Sequence, residues 1–254
     1  MTVEQLQAQC ELGQQQLMAM QYLEARTTLV EAERVAWQMR EWDTLARLYM
    51  PLQETRRQIR QRCGEGIVCL DLISEGASDA LDPLHVVQNY SHGQILVAGW
   101  GSIAPALGVR RLAFEHGLFL ETFLAAAYPT PRGTAVAIVP LAEGKMPDSQ
   151  PRSIEELKRL LPAPSIVIAA SELPQGSRRG TFETYGQVMA IWEKLHTPFI
   201  AAADALADPV QKMEGYRRAI AVDEACELAH QKLSDVARRM MRSPVNSETR
   251  IREI

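Results

Sequence analysis

Nowhere in the 254 residues is there an apolar run approaching the roughly 18 positions that a membrane span requires. The opening MTVEQLQAQCELGQQQ lacks a basic stretch followed by an apolar one, so it does not read as a secretory leader. Cysteine is scarce. Cys10, Cys63, Cys69 and Cys226 form no C-x-x-C, and no histidine stands between Cys63 and Cys69. That spacing excludes the common zinc patterns and leads us to expect four free thiols in a reducing compartment, with no metal site. An excess of positive charge is also missing: 27 Lys and Arg stand against 31 Asp and Glu, for a net −4. No overall field draws in nucleic acid or an anionic membrane, and neither is expected as a partner. The basic clusters RRQIRQR and ARRMMR fall on helical patterns, where cations suit solvated faces and helix C-termini. There is no G-x-x-x-x-G-K-[ST], H-E-x-x-H, EF-hand loop or G-x-S-x-G. No cofactor is assigned and no catalytic residue nominated.

What is present is an ordinary globular composition, 46% hydrophobic and 23% charged, at a length that allows one large domain or two modest ones. Residues 3–62 carry apolar positions at helical spacing, including Leu6, Cys10, Leu17, Leu29, Ala32 and Val35. Three helices are expected, about 3–19, 22–40 and 43–62, with Pro51 kinking or restarting the third. CGEG at 63–66 reads as a helix stop and a domain boundary. The middle of the chain changes character. IVCLDLI, ILVAGW, LFLETFLA, TAVAIVPL and SIVIAA are short apolar runs, several of them continuous, as in strands covered on both faces. Helix-like IAPALGVRRLAFEHG and RSIEELKRLLP lie between them, and Ser153 with Glu156 has capping-box spacing. Alternating strand and helix argues for βαβ units and a mainly parallel sheet. EGKMPDSQPRS reads as a surface connection, the chain turns helical again after RGTFETYG, and the terminal RSPVNSETRIREI reads as a frayed tail.

Two segments resemble tetratricopeptide repeats, whose period is about 34 residues. In the first, Leu12-Gly13, Ala25, Leu29 and Ala32 fall at the family's small and large positions, while Gln16 and Trp37 depart from it. In the second, Tyr216, Ala219 and Leu233 fit, while Lys212 and Glu224 depart. The resemblance implies paired antiparallel helices that bind a protein partner. One hairpin precedes the sheet segment and one follows it, so either they join in one layer or each caps the sheet.

The stretch Gly99-Trp100-Gly101-Ser102-Ile103-Ala104 is G-x-G-x-x-A between a strand-like and a helix-like run, and Glu121 lies 22 positions after Gly99. It resembles the Rossmann fingerprint, in which glycines bring backbone amides to a pyrophosphate and the acid bonds a ribose hydroxyl. A plain tight turn is the competing reading. Arg178 and Arg179 in GSRRGT follow the last strand-like run and suit a phosphate or carboxylate. If an anionic ligand binds, it is expected at the carboxyl ends of the strands, with Gly101 and the two arginines in one site. His85, Asn89, Tyr90 and His92 cluster before the second strand, with no carboxylate at ligand spacing, and read as surface groups.

The expected architecture is α/β: a Rossmann-like, three-layer sheet domain at 64–180, between tetratricopeptide-like helical segments at 1–63 and 181–254. The expected function is that of a bacterial-type cytoplasmic, non-catalytic interaction or scaffold protein. A nucleotide- or small-anion-binding α/β protein, an enzyme in one version, is the alternative.

Overall fold

The computed structural model describes residues 2–143, 146–147 and 151–242 and divides into two compact units. Parts of EGKMPDSQPRS, and the tail from residue 243, lie outside the described residues.

One unit combines the two ends of the chain, residues up to 59 and from 196 on. Helix α1 (Val3–Met18) begins at Thr2, whose hydroxyl accepts the Gln5 amide while the Gln5 side chain accepts the Thr2 amide. This reciprocal cap satisfies two amides that a helix start leaves unpaired. Helix α2 (Tyr22–Met39) stops at Arg40, which adopts the left-handed conformation. Helix α3 (Trp42–Glu65) runs through Pro51 without interruption, and the Thr55 hydroxyl donates to the Pro51 carbonyl. Helix α7 (Phe182–Asp204) is followed by α8 (Pro209–Val222), capped by Asp208, and α9 (Glu227–Met241). A single apolar core takes Leu6, Leu29, Leu45 and Leu52 from the first half and Ile200, Met213, Tyr216 and Leu233 from the second. The hairpins expected at the two ends therefore share one core. Gly13 explains how closely α1 and α2 approach: a Cβ there would lie 2.5 Å from Leu29 Cδ2. The departure of the repeat pattern at Trp37 is absorbed by ring packing. Trp37 packs edge-on to Trp42 at 5.9 Å and lies under the Arg217 guanidinium at 4.6 Å.

The other unit, residues 60–195, is a mixed sheet with helices. Its strands are β1 (Ile67–Ile73), β2 (His92–Trp100), β3 (Phe119–Thr130), β4 (Gly133–Val139), β5 (Ile166–Ala169) and β6 (Arg178–Arg179). Their spatial order is β5-β4-β3-β2-β1-β6. The sheet is parallel at its centre, where β1 pairs β2 and β2 pairs β3. It is antiparallel outside that trio, because a tight Pro131-Arg132 connection folds β4 back along β3, β5 folds back again, and β6 runs against β1. Crossover helices α4 (Pro83–Asn89) and α5 (Ala104–Glu115), with α6 (Ile154–Leu160), cover one face, burying Val86, Val109 and Leu157 against Ile95, Val97 and Leu124. On the other face the Phe123 ring lies 4.3 Å from that of Trp192 in α7. Ile95 to Ala98 are wholly buried, as expected of a strand covered on both sides.

Candidate functional site

The turn after β2 is built by its glycines. A Cβ on Gly99 would meet Pro105 Cγ at 2.7 Å and the Ser102 carbonyl at 2.8 Å, and Gly101 has φ +59°, a backbone that favours glycine. Three amides of this turn are already engaged. The Gly101 N–H donates to the Ala127 carbonyl at 2.8 Å, Ser102 N–H to Gly99, and Ala104 N–H to the Ser102 hydroxyl at 3.1 Å, while Pro105 has none. The turn bonds itself and the neighbouring strand β3.

Glu121 does not stand beside this turn. It is the third residue of β3, whereas Ala127 is the one level with Trp100. Six residues of strand separate the two, about 20 Å at the usual rise. The Glu121 carboxylate instead meets the buried Arg60 guanidinium at 2.5 Å and accepts from the Gln94 amide at 3.0 Å. The Arg60 guanidinium also lies 4.7 Å from the Trp192 ring centroid. An acid expected to bind ribose is thus a structural ion pair on the sheet face. The β1-β2-β3 order offers a further physical reason. The glycines follow the second strand, and β1 is flanked outside by a two-residue antiparallel β6, so no switch point between parallel halves opens a crevice there.

Arg178 and Arg179 form β6, with Arg179 level with Ile67 at the start of β1. Ile67 is in turn level with Gly93 near the start of β2, so the arginines sit at the amino end of the central strands and Gly101 at the carboxyl end. The single site expected for Gly101 and the arginine pair is therefore not formed. Two other clusters do come together. Asn89, Tyr90, Ser91 and His92 line a concavity of about 330 Å³ with Arg179, Glu65, Gly66 and Ile67, at the amino ends of the strands. The Tyr90 hydroxyl lies 3.2 Å from the Ser177 hydroxyl, and Asp71 accepts both the Gly176 N–H at 2.6 Å and the Cys69 thiol at 3.2 Å. These bonds fix the loop before β6. They do not activate a nucleophile. Burial pushes the Cys69 thiol up, and its hydrogen bonds to Ser177 and Tyr90 offset this only in part. The Ser177 contact lowers the Tyr90 pKa, but burial and the neighbouring Cys69 and Asp71 outweigh it and leave it above the usual phenol value. His92 is engaged with the Arg62 carbonyl at 2.6 Å, and His85 with Asn89.

Two histidines not singled out in the sequence prove to be the most perturbed. His196 Nδ1 donates to the buried Asp223 carboxylate at 2.8 Å. Burial acts to lower its pKa, but the bonds to Asp223 and Cys226 prevail and raise it to about 9. His230 lies in the core. Arg56 Nη1, an obligate donor, is 3.0 Å from its Nε2, and its Nδ1 faces the Cys226 carbonyl at 2.8 Å. Those partners require the neutral tautomer with the proton on Nδ1. Burial, reinforced by Arg56, lowers its pKa to about 3. Lone histidines 27 and 174 residues from their partners carry no local spacing signal. Among the described residues no group of His, Cys, Asp and Glu is arranged to hold a metal, and no helix is long and apolar enough to cross a membrane. Compared with protein-family models, curated proteins and solved structures, the chain matches none.

Proposed function

We propose that this chain is a non-catalytic cytoplasmic interaction protein, in which a tetratricopeptide-like helical unit presents the binding surface and a Rossmann-like βαβαβ unit serves as its scaffold. The observation that carries this reading is the shared core of the two chain ends, in which α1, α2, α3, α7, α8 and α9 all take part. A solenoid groove needs about three stacked helical pairs, and neither terminal segment alone supplies that many. The steric match of Gly13 to Leu29, with Ala25 and Ala32 fully buried, supports the repeat-like packing of the first pair. The Cys69 and Cys10 thiols are both pushed up by burial, away from the reactive thiolate, which is in keeping with the non-catalytic part of the reading. The nucleotide-binding alternative has less behind it, since three of the glycine turn's amides are engaged and the acid lies far along β3.

The test places a photo-crosslinking residue at the exposed Leu12 and Met20 of the helical unit, and at the exposed Arg132 of the sheet unit as a control, in the cells that make the protein. A discrete adduct of one partner from Leu12 or Met20, absent from the control, is the expected result. No adduct, together with a melting temperature raised by nucleotides or small anions, overturns the reading in favour of a ligand-binding protein.

A further inference from the structure

We propose that the β6 edge, with Arg178, Arg179 and Phe182, binds an acidic, extended peptide segment as an added strand. Three features of residues 60–195 carry this, independently of what the helical unit binds. First, among the described residues β6 is the last strand of the sheet and pairs on one side only, with Ile67 and Val68, so its outer backbone groups have no strand partner there. A free edge of this kind is a template for an incoming strand. Second, both arginines are exposed and, among the described residues, neither has a carboxylate partner; Arg178 reaches only the Gln175 carbonyl, at 3.3 Å. The nearby acids are Glu65, bridged to Arg62 at 3.2 Å, Asp71, which holds the Gly176 amide, and the exposed Glu183. The charge presented by the edge itself is therefore positive, and its complement is an acidic segment. Third, Phe182, three residues beyond the pair, is 95% exposed. Arginines that merely guard an edge against aggregation gain nothing from a bare phenyl ring so close along the chain, whereas aromatic and arginine side chains are both enriched at binding interfaces.

The edge is also held in place before anything binds. Gly180 N–H donates to the Gly66 carbonyl at 2.7 Å, Asp71 fixes Gly176, and Tyr90 contacts Ser177. A preorganised edge spares an incoming strand the cost of ordering it.

The experiment uses the full chain and displayed random peptides of about eight residues, a little longer than a typical strand. Selections run in parallel on the wild type and on Arg178→Glu with Arg179→Glu. Sequences enriched on the wild type only should carry several Asp or Glu residues and a large apolar one. One of them, fluorescently labelled, should bind at least about tenfold more weakly to Arg178→Gln with Arg179→Gln, since two charge-assisted bonds are lost. It should bind less well to Phe182→Ser and as salt rises, and not at all when a proline at its centre removes a ladder donor. The variants alter exposed side chains, and an unchanged melting temperature verifies their fold. No enrichment, enrichment without acidic bias, or binding indifferent to the proline overturns the proposal. So does equal displacement by inorganic phosphate or a single-stranded oligonucleotide, which assigns the arginines to a general anion site. Aggregation of the glutamate variant without loss of peptide binding assigns them to edge protection instead. Crosslinking from Leu12 and Met20 reads the other unit, so either result stands without the other.

Discussion

Two histidines of the helical unit show how environment alone sends the same side chain in opposite directions. His230 faces an arginine and a carbonyl in the core and is held neutral. His196 faces a buried carboxylate and is held charged, with its pKa raised from the ordinary 6.5 to about 9. A raised histidine pKa stabilises the fold fully below the unfolded value, and that stabilisation is lost as pH rises through the folded value. The window therefore runs from about pH 6.5 to 9, and its depth is on the order of 3 kcal/mol. His230 contributes nothing there, because it is neutral in both states above its unfolded value. Comparing wild type with His196→Gln by chemical denaturation should show a stability gap at pH 6 that narrows toward pH 9.5. A gap that stays constant across this range means the pair carries no net charge interaction. Neither histidine was visible as a site in the sequence. Asp223 and Cys226 are 27 and 30 positions from His196, and only the packing of α7 against the turn between α8 and α9 brings them together.

Elements were more legible than contacts. The apolar runs at 67–73, 95–100 and 134–141 fall on β1, β2 and β4, because a strand buried on both faces has to be continuously apolar. Helix α6 begins where Ser153 and Glu156 indicated, with the Glu156 N–H donating to the Ser153 hydroxyl. Helix α4 and strand β6 escaped notice for a physical reason: seven and two residues are too few to display a period. The antiparallel return of β4 was missed because buried runs carry no direction, although Pro131 and Gly133 between two such runs mark a tight connection. Two substitutions test the elements that were read correctly. Val97 is wholly buried in β2, so Val97→Asp should cost roughly 3 kcal/mol or more. A melting temperature within a degree or two of wild type would instead place that strand at a solvated edge. In α1, Gly13→Ala gains about 0.5–1 kcal/mol of helix propensity, but its Cβ would overlap the side chain of the fully buried Leu29, which would have to shift. Overpacking of this kind costs about 1–3 kcal/mol and should win. Combining it with Leu29→Ala should cost clearly less than the sum of the two changes; strict additivity would mean that the two helices do not meet at this point.

At the scale of the molecule, the chain leaves the helical unit within α3, makes the sheet, and returns within α7, so the two halves of one core are separated by 136 residues of another unit. That topology made the site hardest to read in advance. Gly99, Gly101, Glu121, Arg178 and Arg179 all belong to the inserted unit, and local spacing suggested one site where the strand directions place them at two ends. The same topology makes a sharp prediction about cooperativity. Deleting residues 2–41, up to the turn after Arg40, removes α1 and α2 and with them Leu6, Leu29, Ala32 and Val35 from the core. The fully buried Leu45, Tyr49 and Leu233 belong to that core and would lose neighbours. Each leucine-sized loss is worth about 2–5 kcal/mol, and several together exceed the 5–15 kcal/mol by which a typical domain is stable. Amide exchange in α8 and α9, which begin far along the chain from the deletion, should then rise to the rate of an unfolded chain. Exchange in β2 and β3 should stay slow, because their core is formed within residues 60–195. Protection retained in α8 and α9 would mean that the C-terminal helices hold a core of their own, and the joined helical layer on which the interaction reading rests would fall with it.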